Sequence, residues 1–250
     1  GLDFNTTPPT VLTNGALSNW EGSSCISDNN GQILFYTNGQ TVYNKNHVPM
    51  TNGTGLISNR SSTSSAIIVP LPCSKTKFYI FHVLANENTN PGLYYSVVDL
   101  DDNGNNTIDA SDLGRVSFWE ENIYLADVRE RMAVTLHSNQ KDFWIIAPLV
   151  TSGFKRFLLT STGLDNSLSD LPTTVPVTSQ GYLKFSPNGK TLAIAMPYLP
   201  NGETYLYDFN NTTGTLTNFR VLNTMTGIYG LEFSPNNRYL YYGSVLGGAI

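Results

Sequence analysis

Residues 101–112 read DDNGNNTIDASD, the stretch of this 250-residue chain whose side-chain oxygens are best spaced for chemistry. With Asp101 as position 1, Asn103, Asn105, Thr107, Asp109 and Asp112 fall at positions 3, 5, 7, 9 and 12. A loop that winds around Ca²⁺ needs oxygens at those positions, the one at 7 coming from the backbone, because the ion takes a pentagonal shell. Ile108 at position 8 is the apolar residue that pins such a loop inward. Position 12 holds Asp rather than Glu, and position 6 holds Asn106 rather than Gly, although Asn accepts positive φ better than most residues. A frame starting at Asp99 places Gly104 at position 6 but leaves Ala110 at 12, so the first frame is preferred. The competing reading is a solvated Asp/Asn-rich turn. If calcium binds, it stiffens a long turn and performs no reaction.

Other residues offer less. His47, His82 and His137 share no metal-ligand spacing, which leaves zinc without a motif. No G-x-S-x-G elbow is present to anchor a hydrolase triad. Glu120, Glu121, Asp127 and Glu130 could furnish paired carboxylates for glycoside chemistry, against a solvated connection as the favoured reading. Cys25 and Cys73 form no metal motif, and a disulfide or two free thiols are both open. Charged residues are 13% of the chain, 14 of them basic, and the net charge is −5. With no Lys/Arg cluster to neutralise phosphates, nucleic acid is excluded as a partner. No apolar run reaches the length of a membrane span.

The elements that must position these residues follow from a repeat. Gly181 opens GYLKFSPNGKTLAIAM and Tyr229 opens YGLEFSPNNRYLYYGS, 48 residues later. Each reads as strand, tight turn, strand, with Asn188-Gly189 and Asn236-Asn237 at the turns. Weaker copies lie at 23–39, 64–83 and 132–149. Aligning Leu34, Tyr79, Trp144, Leu192 and Leu240 gives intervals of 45, 65, 48 and 48. A further strand pair follows each hairpin, as in 203–209 and 215–222. Four strands at this period predict an all-β fold, a β-propeller of four-stranded blades. The expected blades are 16–60, 61–118, 119–172 and 173–222, with 223–250 starting another. Residues 1–15 resemble the outer strands of a closing blade, so the chain is either a closed five-bladed ring or an incomplete propeller. The long interval makes 101–112 an enlarged outer turn of the second blade. The helix-like run LADVRERMAV (125–134) is expected to form a short turn or a strand start.

Several stretches resemble a known family: GLDFNTTPPTVLTNGALSNWEG (1–22), ILFYTNGQTVYNKNHVPMTNGTGL (33–56), SSTSSAIIVPLP (61–72), GYLKFSPNGKTLA (181–193) and YGLEFSPNNRYLY (229–241). They are similar to the N-terminal propeller-like region of large secreted Bacteroidota proteins that carry PKD modules and type IX secretion, or gliding-motility-associated, sorting domains. The resemblance implies a secreted or cell-surface location, the type IX machinery as a partner, and a propeller running on past residue 250. It supplies no catalytic residues. The 101–112 spacing separately resembles the calcium loop of dockerin repeats. The resulting expectation is a non-enzymatic surface domain that presents a propeller face for adhesion or for a glycan or protein ligand. The alternatives are a secreted enzyme degrading polysaccharide or peptide, and a structural spacer. The enzyme would need convergent acids or a Ser/His pair at one end of the central channel, and the sequence displays no such set.

Overall fold

A computed structural model describes residues 1–88, 91–173, 180–198, 203–223 and 226–245. A short hairpin, β1 (Leu2–Asp3) and β2 (Thr10–Val11), precedes the first blade. That blade is β3 (Ser24–Ser27), β4 (Ile33–Thr37), β5 (Thr41–Asn44) and β6 (Pro49–Thr54). The second is β7 (Ala66–Pro70), β8 (Lys77–Val83), β9 (Leu93–Asp99) and an outer strand split into β10 (Arg115–Val116) and β11 (Ile123–Ala126). The third is β12 (Ala133–Leu136), β13 (Phe143–Pro148), β14 (Phe154–Thr160) and β15 (Gly163–Asp165). The fourth is β16 (Leu183–Phe185), β17 (Thr191–Met196), β18 (Glu203–Asn210) and β19 (Thr215–Asn223). β20 (Ile228–Phe233) and β21 (Leu240–Ser244) form a further hairpin. The β-propeller read from the repeat is thus the fold. β1–β2 and β20–β21 are separate two-stranded sheets rather than halves of one blade. Residues 125–134 form strand and bridge structure, not helix.

The inner hairpins share one cause. Gly31, Cys73, Gln140, Gly189 and Asn237 all take φ near +60° to +76° at corresponding turn positions. In the two Phe-Ser-Pro-Asn copies the serine does more. Ser186 Oγ donates to Asn188 Oδ1 at 2.8 Å and accepts Thr191 N–H at 3.0 Å. Ser234 repeats both bonds with Asn236 and Tyr239, at 2.8 and 2.9 Å. A hydroxyl that closes the turn from inside is why this tetrapeptide recurs where the strand pair must start in register.

Apolar side chains do not form one central core. They fill the gaps between successive sheets: Phe35, Phe78 and Val98 between blades one and two, Phe81, Ile145 and Phe157 between two and three, Trp144, Leu192 and Tyr207 between three and four, Ala195, Ile228 and Leu231 beyond four. Alternation along each strand puts one face against each neighbour. One polar bolt crosses such a gap. Arg131, fully buried just before β12, donates through one guanidinium nitrogen to Gln180 O at 2.9 Å, Gly181 O at 3.1 Å and Ala195 O at 2.7 Å, all on blade four.

Blades one and two are also joined at their outer edges. β10 pairs antiparallel with β9 and, through Arg115 and Thr51, parallel with β6, giving one nine-stranded sheet. The 101–112 loop steers the chain into that position. Cys25 and Cys73 are exposed and unpaired with each other.

Candidate active site at the mouth of the central cavity

The innermost strands of blades two, three and four, the segment 21–23 just before β3, and β20 surround a cavity of about 450 Å³. Its walls mix apolar residues such as Ala66, Ile67, Leu183 and Phe185 with the polar Ser23 and Ser64. Lys184 is the one cation among the lining residues, and it is paired with Glu232 at 3.0 Å.

At the end where the inner strands begin, four side chains meet in a line. Tyr229 Oη donates to Glu21 Oε2 at 2.5 Å and lies 2.8 Å from Thr63 Oγ1. Thr63 Oγ1 in turn lies 2.9 Å from Glu130 Oε1. The Asn86 N–H donates to Glu130 Oε2 at 2.9 Å. Glu21 is exposed and lines the cavity, whereas Glu130 is buried. Burial pushes the Glu130 carboxyl above the usual carboxylate range, aided by Glu21 and Glu87, and the Asn86 and Thr63 hydrogen bonds offset part of this. Burial and the bond to Glu21 push the Tyr229 phenol up as well, so it stays a neutral hydroxyl.

The backbone fixes this meeting. Trp20 and Glu21 N–H groups donate to Arg60 O at 3.3 and 3.1 Å, and Gly22 N–H to Ser62 O at 3.2 Å. A Cβ at Gly22 would run into the Ser65 nitrogen and approach the Thr63 carbonyl to 2.9 Å, so only glycine lets the two segments lie together. Ser64 N–H donates to Glu130 O at 3.2 Å, and Tyr182 N–H to Tyr229 O at 2.8 Å.

Glu130 was grouped in sequence with Glu120, Glu121 and Asp127, a solvated connection being the favoured reading; in the structure it is buried and bonded to Thr63 and Asn86. Glu121 accepts from Asn122, and Asp127 accepts from Tyr124, both away from the cavity. Glu21, at the far end of the line through Thr63 and Tyr229, lies in a different blade's approach. A signal existed: Glu21, Thr63, Glu130 and Gln180 each stand three residues before the first residue of an inner strand. Lining up the repeats by strand start, rather than by turn, brings them into one column.

The 101–112 residues are brought together, but around each other. Asp101 Oδ1 accepts N–H groups of Asn103, Gly104 and Asn105 at 3.1, 2.6 and 3.2 Å, and Oδ2 accepts that of Asn106 at 2.6 Å. Asn103 and Asn105 Nδ2 donate to Asp109 Oδ2 at 2.9 and 2.8 Å, Thr107 Oγ1 donates to Asn105 Oδ1 at 2.5 Å, and Asp109 N–H donates to Asp112 Oδ2 at 2.7 Å. Asn106 takes φ +60°, the conformation position 6 requires. Among the described residues no three His, Cys, Asp or Glu side chains are grouped to hold a metal ion. Partial burial works to raise the Asp101 carboxyl, but the four N–H donors outweigh it and hold it below the usual range. Lys45 Nζ reaches Ala110 O at 2.8 Å, and Ile108 packs into the gap between blades one and two. The loop is therefore a clasp between blades. Asp101→Ala is expected to free it, seen as faster amide exchange at Arg115 and Val116 and a lower melting temperature; unchanged exchange there would refute the clasp.

The three histidines lie on different blades. His82 is a core residue, with Nδ1 at 2.8 Å from Ile57 O and Nε2 at 3.0 Å from Ser96 Oγ. His47 bonds Asn14 and Tyr36, and His137 bonds Thr212 O.

No family model matches the chain, and no curated protein matches it. Solved structures do. One is a Bacteroides fragilis protein provisionally named a 6-phosphogluconolactonase, similar at 15% identity with a TM-score of 0.50, over 86% of this chain and 58% of that one. This chain therefore spans a little over half the length of that neighbour. A Xanthomonas campestris gluconolactonase follows at 11% identity and TM-score 0.35, over 84% and 65% of the two chains. A structure named glucose dehydrogenase gives 11% and 0.35, over 89% and 92%. The first of these likenesses establishes the propeller fold. Together with the Glu21–Glu130 convergence it overturns the expectation of a non-enzymatic adhesion or display domain. That expectation held that neither convergent acids nor a Ser/His pair stand at the channel end, and the neighbour at TM-score 0.50 bears an enzyme name.

Proposed function

We propose that the cavity mouth is the active site of a hydrolase for small, uncharged cyclic esters, sugar lactones being the class to test first. The observation that carries this is the pair of carboxylates, one exposed and one buried, joined through Tyr229 and Thr63 at the rim of a ligand-sized cavity. Two acids in unlike environments are how a site keeps one carboxylate as base and the other as acid at one pH. The name of the Bacteroides fragilis neighbour suggests the ester class. Its phosphate finds no counterpart here, since the lining cation Lys184 is already held by Glu232, and the lining carries a net negative charge.

In this reading Glu21 takes a proton from water as the water oxygen bonds to the lactone carbonyl carbon, and the carbonyl π electrons move to its oxygen. Collapse breaks the ring C–O bond, and the alkoxide recovers the proton from Glu21. The product is the open-chain hydroxy acid. The extracellular setting belongs to the proposal through the Bacteroidota resemblance alone.

The test is acid release from a panel of neutral aldonolactones and one phosphorylated counterpart, corrected for spontaneous opening. Neutral lactones should turn over, and Glu21→Gln should lower kcat/KM by about 10²–10⁴-fold. A wild-type rate equal to background on the whole panel would overturn the proposal.

A further inference from the structure

We infer that Glu21, Tyr229, Thr63 and Glu130 form a hydrogen-bonded wire that holds one proton between two carboxyl groups. There are three contacts in the line: Glu21–Tyr229 at 2.5 Å, Tyr229–Thr63 at 2.8 Å and Thr63–Glu130 at 2.9 Å. Each needs one hydrogen between its oxygens. The two hydroxyls supply two. With both carboxyl groups ionised, Tyr229 turns to Glu21 and Thr63 to Glu130, and the two hydroxyl oxygens face each other with nothing between them. One further proton, on either carboxyl, satisfies all three contacts.

That proton rests on Glu130. Its Oε2 is occupied by the Asn86 N–H, so an acid hydrogen sits on Oε1, facing Thr63. Glu130 is buried and Glu21 is exposed, and an ionised carboxylate is less costly in water. Glu130 then donates to Thr63, Thr63 to Tyr229, and Tyr229 to an ionised Glu21. The charged and titratable neighbours are Glu21, Glu87, Tyr229 and the guanidinium of Arg131, with Arg129 beyond it. A shift of all three hydrogens along the line moves the acid proton from Glu130 to Glu21, with each hydroxyl giving up one hydrogen and receiving another. Glu130 is thus a positioning residue that keeps its exposed partner ionised and aimed at the cavity. That use rests on the lactonase reading; the wire itself does not.

The test is the titration of the seven glutamate side chains by ¹³C NMR in the substrate-free protein, which needs no turnover. In Glu21→Gln the new amide donates to Tyr229 and reverses the line, so that Glu130 becomes the acceptor. Its midpoint should fall by about one pH unit or more. With Tyr229→Phe also present the line is cut, and Glu21→Gln should move Glu130 much less, by charge removal alone. Thr63→Val cuts the second link and serves if Tyr229→Phe does not fold. Equal shifts with and without the middle hydroxyl, or no shift at all, would overturn the wire. Failure of the lactone assay would leave these titrations unaffected.

Discussion

Arg131→Met is expected to cost about 3–5 kcal/mol of stability, enough to leave much of the protein unfolded at ordinary temperature. The substitution keeps a long apolar stem and removes the guanidinium. Three carbonyls of blade four, those of Gln180, Gly181 and Ala195, then lose the donor that reaches them in a site closed to water. A buried carbonyl without a partner costs about 1–3 kcal/mol. Burial pulls the guanidinium down to about 9, so it stays charged at neutral pH and its three bonds are charge-assisted. Arg131→Lys is expected to recover only part of the loss, since it lacks the second nitrogen that reaches Met196 Sδ at 3.9 Å and its ammonium is more strongly hydrated and so costlier to bury. Urea melts monitored by tryptophan fluorescence measure both, and a wild-type midpoint for Arg131→Met would refute the bolt.

Acid is expected to unfold the protein largely through His82. Burial lowers its folded pKa to about 4, against 6.5 for an ordinary imidazole, while the bond to Ile57 O opposes this. Between those two values the unfolded chain holds a proton that the folded one does not. The slope of stability with pH is then positive, so stability falls as pH drops from about 6.5 towards 4, by up to roughly 3 kcal/mol in all. The ring's partners explain the preference for the neutral form. Nδ1–H donates to Ile57 O and Nε2 accepts from the Ser96 hydroxyl, which itself accepts the Asn122 N–H. A second ring proton would meet the Ser96 hydrogen head-on. His82→Gln should flatten the slope over this range, and an unchanged slope would exclude His82. Glu130 acts with the opposite sign. Its folded pKa is raised, so its contribution is full below the unfolded carboxylate value and declines as pH rises towards the folded one.

The blade pattern was legible because it is local. Asn188-Gly189 and Asn236-Asn237 specify turns by their own backbone preferences, and the serine before each is part of the same turn. The enlarged turn at 101–112 was legible for the same reason, as a departure from a period. The acid pair was not. Glu21 and Glu130 are 109 residues apart, and each looks like a solvated residue in its own segment. What joins them is closure of the ring around Thr63 and Tyr229, and closure leaves no mark in hydrophobic periodicity. Arg131 was hidden in the same way. Its acceptors are backbone carbonyls, which carry no side-chain identity to read. The split outer strand of blade two was also unforeseen, because the register of Arg115 with Thr51 depends on a neighbouring blade.

That parallel contact has a consequence for cooperativity. A propeller whose apolar contacts lie between successive sheets behaves as a one-dimensional chain of coupled units, each stabilised by its neighbours. The β6–β10 ladder makes two of those units covalently distant but hydrogen-bonded through their rims. Blades one and two should therefore open as one foldon, while blades three and four open singly. Fluctuations that unfold blade three would separate Glu130 from a Glu21–Thr63 pair that stays assembled. Half of the acid constellation is carried on the stiff half of the ring, and the other half on the part that breathes.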